Sequence, residues 1–155
     1  MYSERSDFEG FRTNRVYALL AKSAHLSCAT TDKCEVGMSE IERNKQIVLA
    51  QHRAVWSSSD PDAVDRYYAP EVICHFGGQE LKGSAQLKVI VVRRRAAFPD
   101  WNEEVELLIA ESDPVASRVT STATHTGPFL GMKPTGKRIN ISEMFLFPCS
   151  GSATD

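Results

Sequence analysis

Apolar positions along the chain change period once, and that change divides the domain. From residue 39 onward Ile41, Val48 and Val55 recur at heptad spacing beside Ile47 and Trp56, which predicts an amphipathic helix. Ser39 followed three residues later by Glu42 reads as its capping box. In "SSSDPDAVDRYYAPEVICHF", Asp60 is the expected N-cap and Pro61 the first helical residue. Val64, Tyr67 and Tyr68 share a face until Pro70 stops the helix. A short strand over residues 72–76 follows, and "GGQELKG" turns the chain. Leu87, Ile90, Val91, Arg94 and Phe98 then mark a third helix that ends before Pro99.

Beyond this point the period falls to two. "WNEEVELLIAE", "VASRVTSTATHT" and "KRINISEMFLF" are rich in β-formers and are separated by "SDP" and by a Gly/Pro-rich loop. Three helices followed by long strands argue for an α+β fold, with an antiparallel sheet covered on one side by helices. Residues 1–37 differ in character. A short helix-like patch (Phe11, Tyr17, Leu19, Leu20) sits among Arg, Ser, Thr and Asp, so the segment reads as an appendage. Met38 immediately precedes the first cap, which makes it a candidate start of the functional domain. The expected division is an extension over 1–37, a domain over 38–147 and a tail over 148–155.

Composition narrows the class of partner. A chain of 155 residues is one domain by size, with room for a core and a small cavity. Its formal charge of −2 lacks the basic footprint that nucleic acid requires. The one basic run, Arg93-Arg94-Arg95, is expected to be a solvated helix face near a C-terminus, where the dipole favours cations. Four scattered cysteines form no C-x-x-C pair, so a reducing, cytoplasmic setting is the simpler expectation. Lys22 and His25 interrupt the only leader-like apolar run, and no stretch reaches the ~18 apolar residues of a spanning helix.

The loop over residues 124–138, "THTGPFLGMKPTGKR", contains G-x-x-x-x-G-K at 131–137. A phosphate-binding loop would need Ser or Thr at 138, where Arg stands, and a helix after it, where "RINISEMFLF" alternates like a strand. Nucleotide hydrolysis is therefore not expected. The glycines and prolines read as punctuation between two antiparallel strands.

"NKQIVLAQHRAVWSSSDPDAVDRYYAPEVICHF", then "LKG…FPDW", then "THTGPFLGMKPTGKRI" resembles the SnoaL-like polyketide cyclase (ester cyclase) family of the nuclear-transport-factor-2-like superfamily. The most specific piece is T-H-T-G followed by G-x-x-P-T-G-[KR]-R. The resemblance implies a cone-shaped α+β barrel, in which three N-terminal helices pack on a strongly curved, mainly antiparallel sheet enclosing a pocket. It also implies a homodimer, a small apolar or polyketide-like ligand, and intramolecular aldol chemistry by acid/base side chains without metal or organic cofactor. Residue by residue, His125 matches a cavity histidine, His75 the histidine ending the first strand, Asp100 the "F-x-D" after the third helix, and Arg118 a basic residue on the long strand. The family's final strand, with its catalytic aspartate, has no counterpart in "FPCSGSATD", and Asp155 does not replace it. The neighbouring strand would then present an uncovered edge, for which residues 1–37 are a candidate cover.

Proton transfer at a carbon beside a carbonyl works best with groups titrating near neutrality. Alternation puts Val115, Val119, Ala123 and His125 on one face, the more apolar one, so His125 is expected to reach the pocket. Either His75 or Cys74 could line it. Asp100 is equally readable as a turn carboxylate, and Arg118 as an interface residue. Glu143 shares a face with Ile141 and Phe145, where a carboxylate is costly unless the cavity solvates or pairs it, which makes it the substitute acid. Trp56, Tyr67, Tyr68, Trp101 and Phe129 are candidate pocket walls. Two functions follow: a cofactor-independent cyclase, isomerase or hydrolase acting on a small apolar carbonyl or cyclic compound, or a non-catalytic ligand-binding or dimerisation module.

Overall fold

The computed structural model describes residues 38–76 and 79–149, and residues 16–20 through their backbone. Helix α1 (Glu40–Gln51) starts at Ser39, whose side chain accepts the Glu42 N–H, and passes into a wider π-helical turn over His52–Ser57. Helix α2 (Val64–Tyr67) is shorter than the apolar face suggests. Asp60 does not cap it; its carboxylate accepts the Asp62 N–H at 3.0 Å and closes a turn ahead of the helix. Strands β2 (Ile73–Phe76) and β3 (Gln79–Lys82) pair antiparallel, so part of the expected turn "GGQELKG" is itself a strand. Helix α3 (Ser84–Ala97) buries Leu87, Val91, Arg94 and Ala97. Strands β4 (Asn102–Ala110), β5 (Val115–Thr124) and β6 (Arg138–Phe147) form the antiparallel meander anticipated from the period-two segments.

Strand β1 (Val16–Leu20) falls within the segment read as helix-like, and it is extended. Its backbone runs parallel to β6 and antiparallel to β2, giving the sheet order β3-β2-β1-β6-β5-β4. The edge of β6 that a missing final strand would leave open is thus paired. Two of the four cysteines, Cys28 and Cys34, and the tail beyond 149 lie outside the described residues. The fold is α+β with a mainly antiparallel sheet; β3 and β4 remain its two edges, and the sheet does not close into a barrel. Among the described residues no helix is long and apolar enough to cross a membrane.

The core lies between the helices and the inward face of the sheet, where Val48, Val55, Val64, Val91, Val115, Val119 and Phe147 are fully enclosed. Strand β4 contains a bulge between Val105 and Leu107. Up to Val105 its odd-numbered residues turn inward; after the bulge Leu108 and Ala110 do, and Leu107 and Ile109 stand exposed on the other face.

The loop after β5 docks on the end of α3. Thr126 and Gly127 both donate backbone N–H bonds to the Ala97 carbonyl, at 2.9 and 3.0 Å. A Cβ on Gly127 would lie 2.3 Å from the Ala96 oxygen, so the glycine of T-H-T-G is needed for close backbone approach. Residues 131–137 then lead into β6 and not into a helix, as the alternation predicted.

Candidate functional site

A cavity of about 180 Å³ lies between the helices and the sheet. Phe98, Phe129, Ile139, Ile141, Phe145 and Phe147 are among the residues of its apolar wall. Phe76 and Leu130 also border it while being largely exposed, and so mark its mouth. Into this apolar volume the fold brings two carboxyl groups, Glu103 and Glu143, one guanidinium, Arg94, and the Tyr68 hydroxyl.

Glu143 occupies the inward face of β6 and is 5% exposed. The Ser121 hydroxyl on β5 donates to its Oε2 at 2.6 Å. Burial, offset in part by that hydrogen bond and reinforced by the charge of Glu103, pushes its proton affinity up to about 7. A carboxyl that exchanges its proton near neutrality inside an apolar cavity is suited to general acid/base work.

Glu103 enters from β4, and its side chain is as enclosed. Its Oε2 lies 2.8 Å from His52 Nδ1, and its Oε1 accepts from Trp101 Nε1 at 3.2 Å. Arg94 approaches the same oxygen at 3.5 Å. The guanidinium is held between the rings of Trp56 and Trp101, 4.6 Å from each centroid. It also donates to the Trp56 carbonyl, near the end of the π-helical turn that follows α1. Burial lowers the Arg94 pKa to about 10 while Glu103 and Glu143 oppose the shift, so the group stays charged at neutral pH. Arg94 was expected on a solvated face with its neighbours. Arg93 and Arg95 are exposed, but Arg94 falls on the apolar stripe with Leu87 and Val91 and turns inward.

The other anticipated residues are distributed as follows. Trp56, Cys74, His75 and Phe129 border the cavity. His75 is partly exposed and stands 4.0 Å from Glu80. Cys74 is buried, and burial pushes its thiol up to about 12, far from a reactive thiolate. Tyr67 packs against the core, and its neighbour Tyr68 takes the cavity position, accepting hydrogen bonds from Gln51 and from Trp56 Nε1. His125 is buried, as its face predicted, but it lies behind the wall: its ring stacks on Phe98 at 5.1 Å, and Nδ1 is 3.2 Å from Thr135 Oγ1. Asp100 is outside the cavity and accepts both the N–H and the hydroxyl of Thr124 at 2.7 Å, which holds its pKa below the usual carboxylate range. Arg118 lies on the outer face, 2.8 Å from Glu106.

The polar residues Glu103 and Arg94, which line the cavity, and His52, which bonds to Glu103, were not among the expected site. His52 is four residues from Val48 and three from Val55, so its helical face was readable. The inward turn of Glu103 was not, because the bulge that sets it has no local signature. Among the described residues no group of three His, Cys, Asp or Glu side chains converges as a metal site.

Comparison with known proteins agrees with this architecture. The family model for SnoaL-like polyketide cyclase matches residues 46–152. The chain is 32% identical to a candidate polyketide cyclase of Acidithiobacillus ferrooxidans, with a TM-score of 0.58 over 74% of this chain and 84% of that one. It is 29% identical to AclR of Streptomyces galilaeus, described as a candidate hydroxylase, with a TM-score of 0.58 over 70% and 79% of the two chains. A candidate SnoaL-like polyketide cyclase of Jannaschia shares the fold at 22% identity, with a TM-score of 0.60 over 73% and 90%. No curated protein matches the chain. A family model that spans residues 46–152, most of this sequence, makes the chain a member of the SnoaL-like polyketide cyclases.

Proposed function

We propose that the cavity binds a small, largely apolar carbonyl or cyclic compound and that Glu143 moves a proton on it, in an aldol cyclisation, an isomerisation or a hydrolysis. The observation that carries this reading is the environment of Glu143. It lies in an apolar cavity with one oxygen on Ser121, and among the described residues no hydrogen bond reaches the other. As the acid it would deliver a proton to a developing alkoxide; as the base it would take one from the carbon beside a carbonyl. The likeness to a candidate polyketide cyclase at 32% identity supports cyclisation among these reactions.

Size limits the ligand. A volume of about 180 Å³ modestly exceeds the roughly 150 Å³ of an engineered cavity that takes up benzene. The enclosed part therefore suits a skeleton of one or two rings, with any extension leaving past Phe76 and Leu130. Trp56, Cys74 and Phe129 would form its walls, and His75 its rim. The same reading includes a homodimer through the outer sheet face, where Leu107, Ile109 and Met144 are exposed. The mass of the protein in solution checks that part.

The test is a panel of bicyclic ketones and β-keto esters screened by thermal shift, with ligands that bind then assayed for conversion by wild type and Glu143→Gln. Conversion lost in the variant while binding persists is the expected result. Binding without conversion by the wild type would leave a non-catalytic carrier, and no binding at all would overturn the cavity's role.

A further inference from the structure

The two cavity carboxyl groups are held by partners of different kinds. Glu103 faces three partners: His52 Nδ1 at 2.8 Å, the donor Trp101 Nε1 at 3.2 Å and the Arg94 guanidinium at 3.5 Å. Its partners are themselves fixed. His52 Nε2 is 2.9 Å from Ser117 Oγ, and its ring meets Phe145 and Phe147 edge-on, with centroids 5.3 and 5.4 Å away. Arg94 is clamped between two indoles. Among the described residues Glu143 has a single, neutral donor, Ser121 Oγ at 2.6 Å.

Hydrogen bonds donated to a carboxylate favour its charged form, and a cation beside it does so more strongly. Two carboxylates lining one apolar cavity cannot both be ionised cheaply, so the better-solvated one keeps the charge and the other keeps a proton. We propose that Glu103 is a positioning residue: anchored by His52, Trp101 and Arg94, its carboxylate holds the cavity's exchangeable proton on Glu143. The proposal rests on reading Glu143 as the proton carrier and adds what makes it one. Because an ionised carboxylate only accepts, His52 Nδ1 carries its hydrogen in this arrangement.

The remaining groups around Glu143 are consistent with that division. Arg94 from α3 pairs with Glu103 at 3.5 Å, and its charge opposes the raised proton affinity of Glu143. Tyr68 after α2 and Cys74 on β2 are kept protonated at neutral pH by burial. His75 borders the cavity beside Glu80, near the mouth. The inward residues of β5 next to β6 are Ser117, Val119 and Ser121, none of which titrates. Strand β1, whose backbone runs beside Glu143, contains Tyr17 as its one titratable residue. The proton affinity of Glu143 is raised first by burial and then by the charge of Glu103.

Infrared titration of the ligand-free protein tests this without a substrate. At about pH 6 the carbonyl band of a buried protonated carboxyl is expected in the wild type and should vanish in Glu143→Gln; its survival there would place the proton on Glu103 and overturn the proposal. In Glu103→Gln the midpoint of the band should fall by at least about half a pH unit, since a like charge has been removed. An unmoved midpoint with a lowered melting temperature would mean that Glu103 serves the fold alone, which also overturns it. Should Glu103→Gln not fold, the comparison of wild type with Glu143→Gln still decides which carboxyl holds the proton. Failure to find turnover in the substrate panel would leave these bands untouched, so the two readings fail separately.

Discussion

Glu103 and Glu143 face one cavity although they stand on β4 and β6 with the whole of β5 between them. The bulge between Val105 and Leu107 makes this possible. It lets Glu103 and Val105 turn inward at one end of β4, while Leu108 and Ala110 fill the core at the other. Without it, either the carboxylate or the two apolar residues would have to face the wrong side.

Protonated burial of Glu143 makes stability fall as pH rises. Below the unfolded value of 4.5 both states hold the proton; between there and about 7 only the folded state does, so unfolding gains from releasing it. Above that window the accumulated loss is about 3 kcal/mol by linkage. Gln cannot ionise and can still accept from Ser121. Glu143→Gln should therefore match the wild type at about pH 4 and exceed it by on the order of 3 kcal/mol at about pH 8, measured by urea unfolding. A stability difference that does not change with pH would refute the assignment.

His52→Ala should destabilise the fold by about 3 kcal/mol or more, because it strips a donor from an enclosed carboxylate, removes the partner of Ser117 and opens a gap beside Phe145 and Phe147. Chemical denaturation at neutral pH reads this directly. A loss below about 1 kcal/mol would show that the Glu103 network is not fixed as described.

Gly127→Ala places a methyl group against backbone on the end of α3, 2.3 Å from the Ala96 oxygen and 2.9 Å from the Ala97 Cα. Neither neighbour can rotate away. The two hydrogen bonds to the Ala97 carbonyl must lengthen, and the expected cost is about 1–3 kcal/mol. A melting temperature equal to that of the wild type would contradict this docking of the loop.

Removal of residues 1–37 takes away β1 and leaves β6 and β2 each with an unpaired edge. The chain beginning at Met38 should unfold at lower denaturant and associate at concentrations where the full chain does not, as light scattering would show. Unchanged stability and unchanged mass would mean that β1 is dispensable.

Much of this molecule was legible in its sequence where the information is local. Ser39 capped the helix it announced, the period-two segments became β4, β5 and β6, and "RINISEMFLF" emerged as a strand after a loop that only imitates a phosphate cradle. Glu143 stood among Ile141, Phe145 and Phe147 on one face, and that alternation alone marked it as a buried acid. These readings held because backbone periodicity and turn chemistry depend on residues only a few positions apart.

Tertiary structure decided the rest. The sequence shows three adjacent arginines, and only the packing of α3 against Trp56 and Trp101 makes Arg94 a buried cation. His125 was correctly an inward residue, yet the ring of Phe98 stands between it and the cavity as a stacked neighbour. The bulge of β4, the insertion of β1 beside β6, and the meeting of His52 with Glu103 all join residues far apart along the chain. Sequence by itself determined α1, α3, the strands β2 and β4 to β6 and the family they compose, because those follow from local pattern, whereas β1 and β3 escaped it. Which side chains share the cavity, and how Glu143 is buried there, depends on packing and on donors contributed by distant elements, and these exist only once the chain has folded.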